Sequence, residues 1–274
     1  MDWIQIFILA IVQGIAEFLP ISSSGHIVVL QDLFKALGST LSGDSLTWNI
    51  ALHFGTLLSI FVVFRKRIWS LLSADRRVIL LLMVATIPAV IAAIGMKILN
   101  ADAILENSLV AGICFPITGL ILLYCSDKSG ETRTRDLSWK DAVIIGLVQA
   151  VAALLPGISR SGSTICAGLL CRMKRDEAAA FSFLMAIPAI GGSALFKMVD
   201  LAKELKNGTA GFGGSHDLML LGAGTLLSFI VGVFALLLLV QWLQQGKLKY
   251  FAYWLFLIGP AVIIWQLFFA IAPQ

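Results

Sequence analysis

The sequence predicts an all-α polytopic membrane protein with six transmembrane helices plus two re-entrant helical hairpins, arranged as an inverted-topology repeat. Three observations predict it. Of the 274 residues, 59% are hydrophobic and 13% charged, and the mean hydropathy is +0.93; a soluble domain is nearer ~25% charged. Six apolar runs are long enough to cross a ~30 Å hydrocarbon core. Two further apolar regions are interrupted in their middles by Pro, Gly and Ser. This composition excludes a soluble globule, an intrinsically disordered chain and a fibrous protein.

In chain order, the first interrupted region covers about 3–34 and breaks at Leu19-Pro20-Ile21-Ser22-Ser23-Ser24-Gly25-His26. Spans follow at about 47–64, 78–98 and 108–125. The second interrupted region covers about 141–171 and breaks at Leu155-Pro156-Gly157-Ile158-Ser159-Arg160-Ser161-Gly162-Ser163. Spans at about 178–198, 218–240 and 250–272 complete the set. Pro removes a helix donor and clashes with the preceding turn, while Gly and Ser favour turns and caps. Each interrupted region therefore reads as helix, break, helix.

The basic residues orient these segments. The loops at about 65–77, 126–140, 172–177 and 241–249 are rich in Lys and Arg, whereas those at about 31–46, 99–107 and 199–217 hold only Lys35, Lys203 and Lys206. The basic set faces the cytoplasm. The 141–171 region then starts and ends on the cytoplasmic side, and its second arm, about Ser163 to Cys171, is only ~14 Å long at 1.5 Å per residue. That is half the hydrocarbon core, so the region is a re-entrant hairpin with its tip near the midplane. For 3–34, a kinked crossing from inside and a hairpin entering from outside both fit the charges. Its likeness to the second region favours the hairpin.

That likeness is residue by residue. Val12-Gln13-Gly14-Ile15-Ala16-Glu17-Phe18-Leu19-Pro20 aligns with Val148-Gln149-Ala150-Val151-Ala152-Ala153-Leu154-Leu155-Pro156, at an offset of 136. The chain is one integral membrane domain, 1–274, with halves of about 1–125 and 137–272, each a hairpin followed by three spans. An odd number of spans inverts the second half. Inverted repeats with broken helices put a binding site at the midplane, where the tips meet.

Glu17 is the only acidic residue deep in the apolar segments and Arg160 the only basic one. Charges inside a membrane are costly and are functional candidates by default, and these two fall in the two breaks. The first break offers Gln13, Glu17, Ser22, Ser23, Ser24 and His26; the second offers Ser159, Arg160, Ser161, Ser163 and Thr164. Residues 13 and 17 share a helix face. Each break is followed by a half-helix whose first N–H groups are unpaired and whose dipole is positive. Two such ends and an Arg form an anion site suited to phosphate. A carboxylate beside it fits a divalent cation, an oriented base or proton handling, and His26 can be a general base for a hydroxyl or a water. Against this stand plainer readings. Glu17 and Arg160 can be an ion pair that only fixes the fold, the serines can be N-caps, and His26 can be a satisfied core histidine. His53, beside Gly55 and Thr56, reads as packing or as support for the site. Trp48, Trp69, Trp242 and Tyr250 read as interfacial belt anchors. The four cysteines lack metal-ligand spacing and read as small buried hydrophobes.

The stretches Glu17-Phe18-Leu19-Pro20-Ile21-Ser22-Ser23-Ser24-Gly25-His26 and Pro156-Gly157-Ile158-Ser159-Arg160-Ser161-Gly162-Ser163-Thr164 resemble the two signatures of undecaprenyl-diphosphate phosphatases of the bacitracin-resistance type. The resemblance covers essentially the whole chain. It implies a multi-pass enzyme of the bacterial inner (plasma) membrane that hydrolyses undecaprenyl diphosphate to the monophosphate and inorganic phosphate, recycling the lipid carrier of cell-wall and peptidoglycan synthesis. The family's acidic motif falls on Gln13 and Glu17, its Ser pair on Ser22 and Ser23, its His on His26, its Ser-Arg pair on Ser159 and Arg160, and its Thr on Thr164. Gln13 is the variant form and removes one carboxylate. The family's dependence on a divalent cation implies Mg²⁺ or Ca²⁺, held by Glu17 with Gln13.

The expected mechanism has Arg160, Ser22, Ser159, Ser161, Thr164 and half-helix N–H groups on the phosphate oxygens. Ser23 or a water attacks the terminal phosphorus, assisted by His26, with Glu17 at the cation. The alternative is a transporter or flippase of a polyprenyl phosphate, since inverted repeats are transporter architecture. The lopsided charges, Glu17 and His26 on one tip and Arg160 on the other, suit chemistry better. Expected partners are a polyprenyl diphosphate and membrane lipids; a homodimer is allowed, and no nucleic-acid motif is present.

Overall fold

A computed structural model describes residues 3–38, 45–73, 75–99, 102–206 and 215–270. Its helices are α1 (Trp3–Phe18), α2 (Ser23–Ala36), α3 (Ser45–Val63), α4 (Arg65–Ser73), α5 (Arg76–Ile98), α6 (Asp102–Leu105), α7 (Ser108–Cys125), α8 (Trp139–Leu154), α9 (Arg160–Leu170), α10 (Arg175–Lys206), α11 (Ser215–Gln244) and α12 (Leu248–Trp265). Among the described residues there is no strand, only a parallel bridge between Thr132 and Met173. The protein is all-α and polytopic. Among the described residues, four helices, α5, α7, α11 and α12, are long and apolar enough to cross a membrane, and α3 with α4 makes a fifth if read as one span bent by 69°. The run expected at 178–198 lies within α10. That helix continues through Lys203 and Lys206, where the sequence suggests a loop; 207–214 lie outside the described residues.

Both interrupted regions are helix, break, helix, as Pro20 and Pro156 dictate. Leu155, the residue before Pro156, is extended at φ −127°, ψ 116°, the conformation a following proline favours. The unit of α8 and α9 starts and ends in one place. Thr132 N–H donates to Arg172 O at 2.9 Å, Lys174 N–H to Thr132 O at 3.0 Å, and Gly130 N–H to Met173 O at 3.1 Å, so the segment entering α8 is stitched to the one leaving α9. The basic loops gather around this stitch. Arg67 pairs with Glu177 at 2.8 Å, Arg77 donates to Leu137 O at 2.7 Å, and Arg175 donates to Ser126 O at 3.1 Å. Gly246 packs against the Arg175 guanidinium.

The unit of α1 and α2 starts and ends elsewhere. Ile6, Leu9, Ile27, Trp48, Leu52 and Leu220 form one buried cluster, with Trp3, Leu30 and Phe34 against it. It joins the first turns of α1, α3 and α11 to the later turns of α2. Trp48 is thus 5% exposed and part of the core, a correction to its reading as a belt anchor, whereas Trp69 is 75% exposed. The larger core holds Phe18, Phe115, Phe181 and Phe183, all fully buried. The Phe18 and Phe183 rings meet edge-on at 5.6 Å, tying the end of α1 to α10. Inside a membrane such rings hold helices together by close van der Waals packing, since lipid is as apolar as they are. Glycines allow the closest crossings. A Cβ on Gly14 of α1 would lie 2.9 Å from Ser228 O of α11, and one on Gly146 of α8 would collide with the Ala85 carbonyl of α5. Cys114, Cys125 and Cys166 are free and buried.

Candidate active site

The two breaks touch. Ser22 is the N-cap of α2, its Oγ accepting from Gly25 N–H at 3.4 Å, and Ser159 is the N-cap of α9, its Oγ accepting from Gly162 N–H at 3.1 Å. Ser22 Oγ donates to Ile158 O at 3.4 Å, joining residues 136 apart, the same offset that relates the two sequence motifs. Ser22 has φ 71°, a sparsely populated conformation for a residue with a Cβ. Gly157 has φ +90° and a Cβ there would collide with Ala111 O of α7, so glycine is required on both counts. Thr118 of α7 fixes this tip: its Oγ1 donates to Gly157 O at 2.9 Å and accepts from Ser159 N–H at 3.1 Å.

The charged groups meet across the junction. Arg160 Nη2 donates to Glu17 Oε1. Glu17 Oε2 accepts from Ser23 Oγ at 2.7 Å and from Gln13 Nε2 at 3.1 Å. His53 Nε2 of α3 stands 3.7 Å from the same oxygen, while its Nδ1 donates to Asn49 O at 2.8 Å. The Glu17 side chain is 5% exposed, Arg160 17% and His53 35%. Among the described residues, Arg160 Nη1 is buried without a hydrogen-bond partner. A guanidinium nitrogen in that state is expensive, since the desolvation of a charged donor goes uncompensated.

The structure therefore brings Gln13, Glu17, Ser23 and Arg160 together. Both ring nitrogens of His26 bond groups other than Ser23. His26 Nδ1 bonds Ser22 O at 2.8 Å, Trp254 Nε1–H of α12 donates to His26 Nε2 at 3.1 Å, and the ring leans on Phe115 at 4.8 Å. The base within reach of the Ser23 hydroxyl is the Glu17 carboxylate. The expected phosphate ligands Ser22, Ser159, Ser161 and Thr164 are engaged elsewhere. Ser22 and Ser159 cap, Ser161 Oγ lies 3.2 Å from Ser159 Oγ, and Thr164 Oγ1 bonds Arg160 O at 2.7 Å and Ser182 Oγ at 2.6 Å. These hydrogen bonds hold the two tips in shape. His53 and Trp254 join the site from α3 and α12, outside either motif. A histidine within an apolar run was the signal for His53; no sequence signal pointed to Trp254.

The residues do not form a metal cage. Among the described residues no group of three or more His, Cys, Asp or Glu converges. Among the described residues Glu17 is the only carboxylate at the junction, Gln13 turns its NH₂ donor toward it, and Arg160 already neutralises it. The second tip carries no counterpart of this cluster. Gln149, which matches Gln13, is buried with no hydrogen-bond partner among the described residues, because Ala153 stands where Glu17 would be.

Residues 6–261 match the family model described as bacitracin resistance protein BacA. A protein of Rhodopirellula baltica named undecaprenyl-diphosphatase is 44% identical over 267 residues, covering 97% of this chain and 99% of its own length. One of the same name from Thermodesulfovibrio yellowstonii is 39% identical over 262 residues, 96% of each chain. Undecaprenyl-diphosphatase 3 of Bacillus cereus is 38% identical over 269 residues, 97% of this chain and 98% of its own.

Proposed function

The chain belongs to the bacitracin resistance protein BacA family, and from that premise we propose how its two tips hydrolyse undecaprenyl diphosphate to undecaprenyl phosphate and inorganic phosphate. The protein is a membrane phosphatase acting on a phosphoanhydride. The transporter reading is not favoured, since relatives matched over nearly their whole length are named diphosphatases.

One observation carries the site assignment: the buried, unpartnered Arg160 Nη1 beside the Ser23–Glu17 hydrogen bond. That nitrogen takes an oxygen of the terminal phosphate, and Nη2 stays on Glu17. The Ser23 hydroxyl attacks the terminal phosphorus while its proton passes to Glu17 Oε2. The bond from phosphorus to the bridging oxygen breaks, and the lipid monophosphate leaves. His26 lies three residues beyond Ser23 on the same face of α2. It takes a proton from the water that then releases inorganic phosphate from Ser23, Glu17 returns its proton to the serine oxygen, and His26 passes its own to the departing phosphate or to solvent. Electrostatic stabilisation by Arg160 lowers the barrier most. A divalent cation, Mg²⁺ or Ca²⁺, would supply charge stabilisation to the diphosphate if bound.

We read the fold as six spans with two re-entrant hairpins in inverted halves, about 1–125 and 137–272. Its support is the pairing of helices, with α1 on α11 as α8 is on α5, and the contact of the two tips at the repeat offset. The membrane is the bacterial inner membrane, the site opens to its periplasmic side, and the lipid tail lies along apolar helix surface. A homodimer would leave this site within each copy. The test is inorganic phosphate release from a polyprenyl diphosphate in detergent, where sidedness is absent. Release by the wild type and its loss in Arg160→Ala is the expected result; no release from folded wild type would return the transporter reading.

A further inference from the structure

The His26 ring is bonded at both nitrogens, and the two partners dictate its state. The Ser22 carbonyl only accepts, so Nδ1 carries the proton toward it at 2.8 Å. An indole N–H only donates, so Nε2 offers its lone pair to Trp254 at 3.1 Å. The rings lie 13° from coplanar with centroids 6.2 Å apart, the geometry of an in-plane N–H···N bond; a face-to-face pair would be closer. Phe115 covers the imidazole from α7. The charged groups at the junction, Glu17 from α1 and Arg160 from α9, are paired with each other, with His53 from α3 beside Glu17. Trp254 itself is 43% exposed, so it can swing away from α2 without opening the core.

We infer that Trp254 is a positioning residue for His26: it locks the Nδ1–H tautomer and covers the basic Nε2 until a lipid diphosphate enters between α2 and α12 and displaces the indole. The inference rests on His26 acting as the base proposed above. Uncovering Nε2 only when substrate is present keeps the site from activating water between turnovers. The sign of the effect follows from the bond. An N–H donated to the unprotonated nitrogen favours the unprotonated ring. Removing the indole N–H therefore raises the pH at which His26 becomes a base.

The test compares wild type with Trp254→Phe in detergent by two readouts. The first is the pH dependence of phosphate release, whose acid limb moves up by about half a pH unit or more in the variant. The second is carbethoxylation of His26 by diethylpyrocarbonate, read by mass spectrometry at that residue, which becomes several-fold faster once Nε2 is uncovered. If Trp254→Phe does not fold, Trp254→Leu is measured the same way. An unchanged labelling rate, or a rate of phosphate release lowered equally at every pH, overturns the inference. Absence of phosphate release from wild type overturns instead the proposed hydrolysis, and the labelling then still reports on Trp254.

Discussion

Arg160 of α9 donates one guanidinium nitrogen to the Glu17 carboxylate of α1 and leaves the other buried and unpartnered. The pair is a clasp between the two breaks and, in the proposed mechanism, half of an anion site. Its two roles separate by mutation. Arg160→Ala leaves Glu17 as an unpaired buried charge, so it lowers stability by about 3–5 kcal/mol as well as abolishing phosphate release. Glu17→Gln keeps a neutral acceptor at the junction and costs less stability, yet loses activity at least about 100-fold because Ser23 has no base. Thermal unfolding beside the phosphate assay distinguishes the two.

Ser22 and Ser23 are adjacent but not equivalent. Ser23→Ala removes the nucleophile and is expected to lower turnover by about 1,000-fold or more. Ser22→Gly removes a cap, at a cost of a few tenths of a kcal/mol, and relieves a left-handed φ of 71°. Its activity stays within about tenfold of wild type, measured as phosphate release at saturating substrate. Equal losses in the two variants would refute the assignment of the nucleophile.

His53→Ala tests the third neighbour of Glu17. Its imidazole stands 3.7 Å from the carboxylate and its other nitrogen is fixed by Asn49 O. Losing it weakens the hold on Glu17 Oε2 without touching the nucleophile, so kcat falls about 10-fold while KM changes little.

The donor set around Glu17 lacks a cage, and this has a direct consequence for metals. Without substrate, millimolar Mg²⁺ or Ca²⁺ leaves the unfolding temperature unchanged, because a ligand that does not bind the folded state tightly cannot stabilise it. A clear cation-dependent rise in Tm of the substrate-free protein would refute this.

Gly157→Ala is the fold-level test of the second tip. A Cβ there meets the Ala111 carbonyl and must adopt φ +90°. The expected cost is about 1–3 kcal/mol from backbone strain alone, with the collision added to it. Activity falls with it because Thr118 holds the neighbouring Gly157 carbonyl and Ser159 amide. Gly95→Ala, in open space on α5, is the neutral control.

Much of the molecule was legible in the chain alone. Apolar runs set the helices because a membrane leaves no other way to satisfy backbone groups. Pro20 and Pro156 set the breaks, since proline cannot sit in a helix interior without losing a hydrogen bond. The lone charges Glu17 and Arg160 marked the candidate site, since an unneeded charge in an apolar segment is costly. What the tertiary structure alone decided is which polar group faces which. Ser23 meets Glu17 and not His26, Thr164 turns to Ser182, and His53 and Trp254 arrive from α3 and α12. The cause is physical. Helix periodicity fixes the direction of a side chain only relative to its own helix, and the breaks at Ser22 and Gly157 reset that direction through left-handed backbone angles. Partners more than 100 residues away then follow from how the helices cross, which here depends on Gly14 and Gly146 admitting a neighbouring backbone.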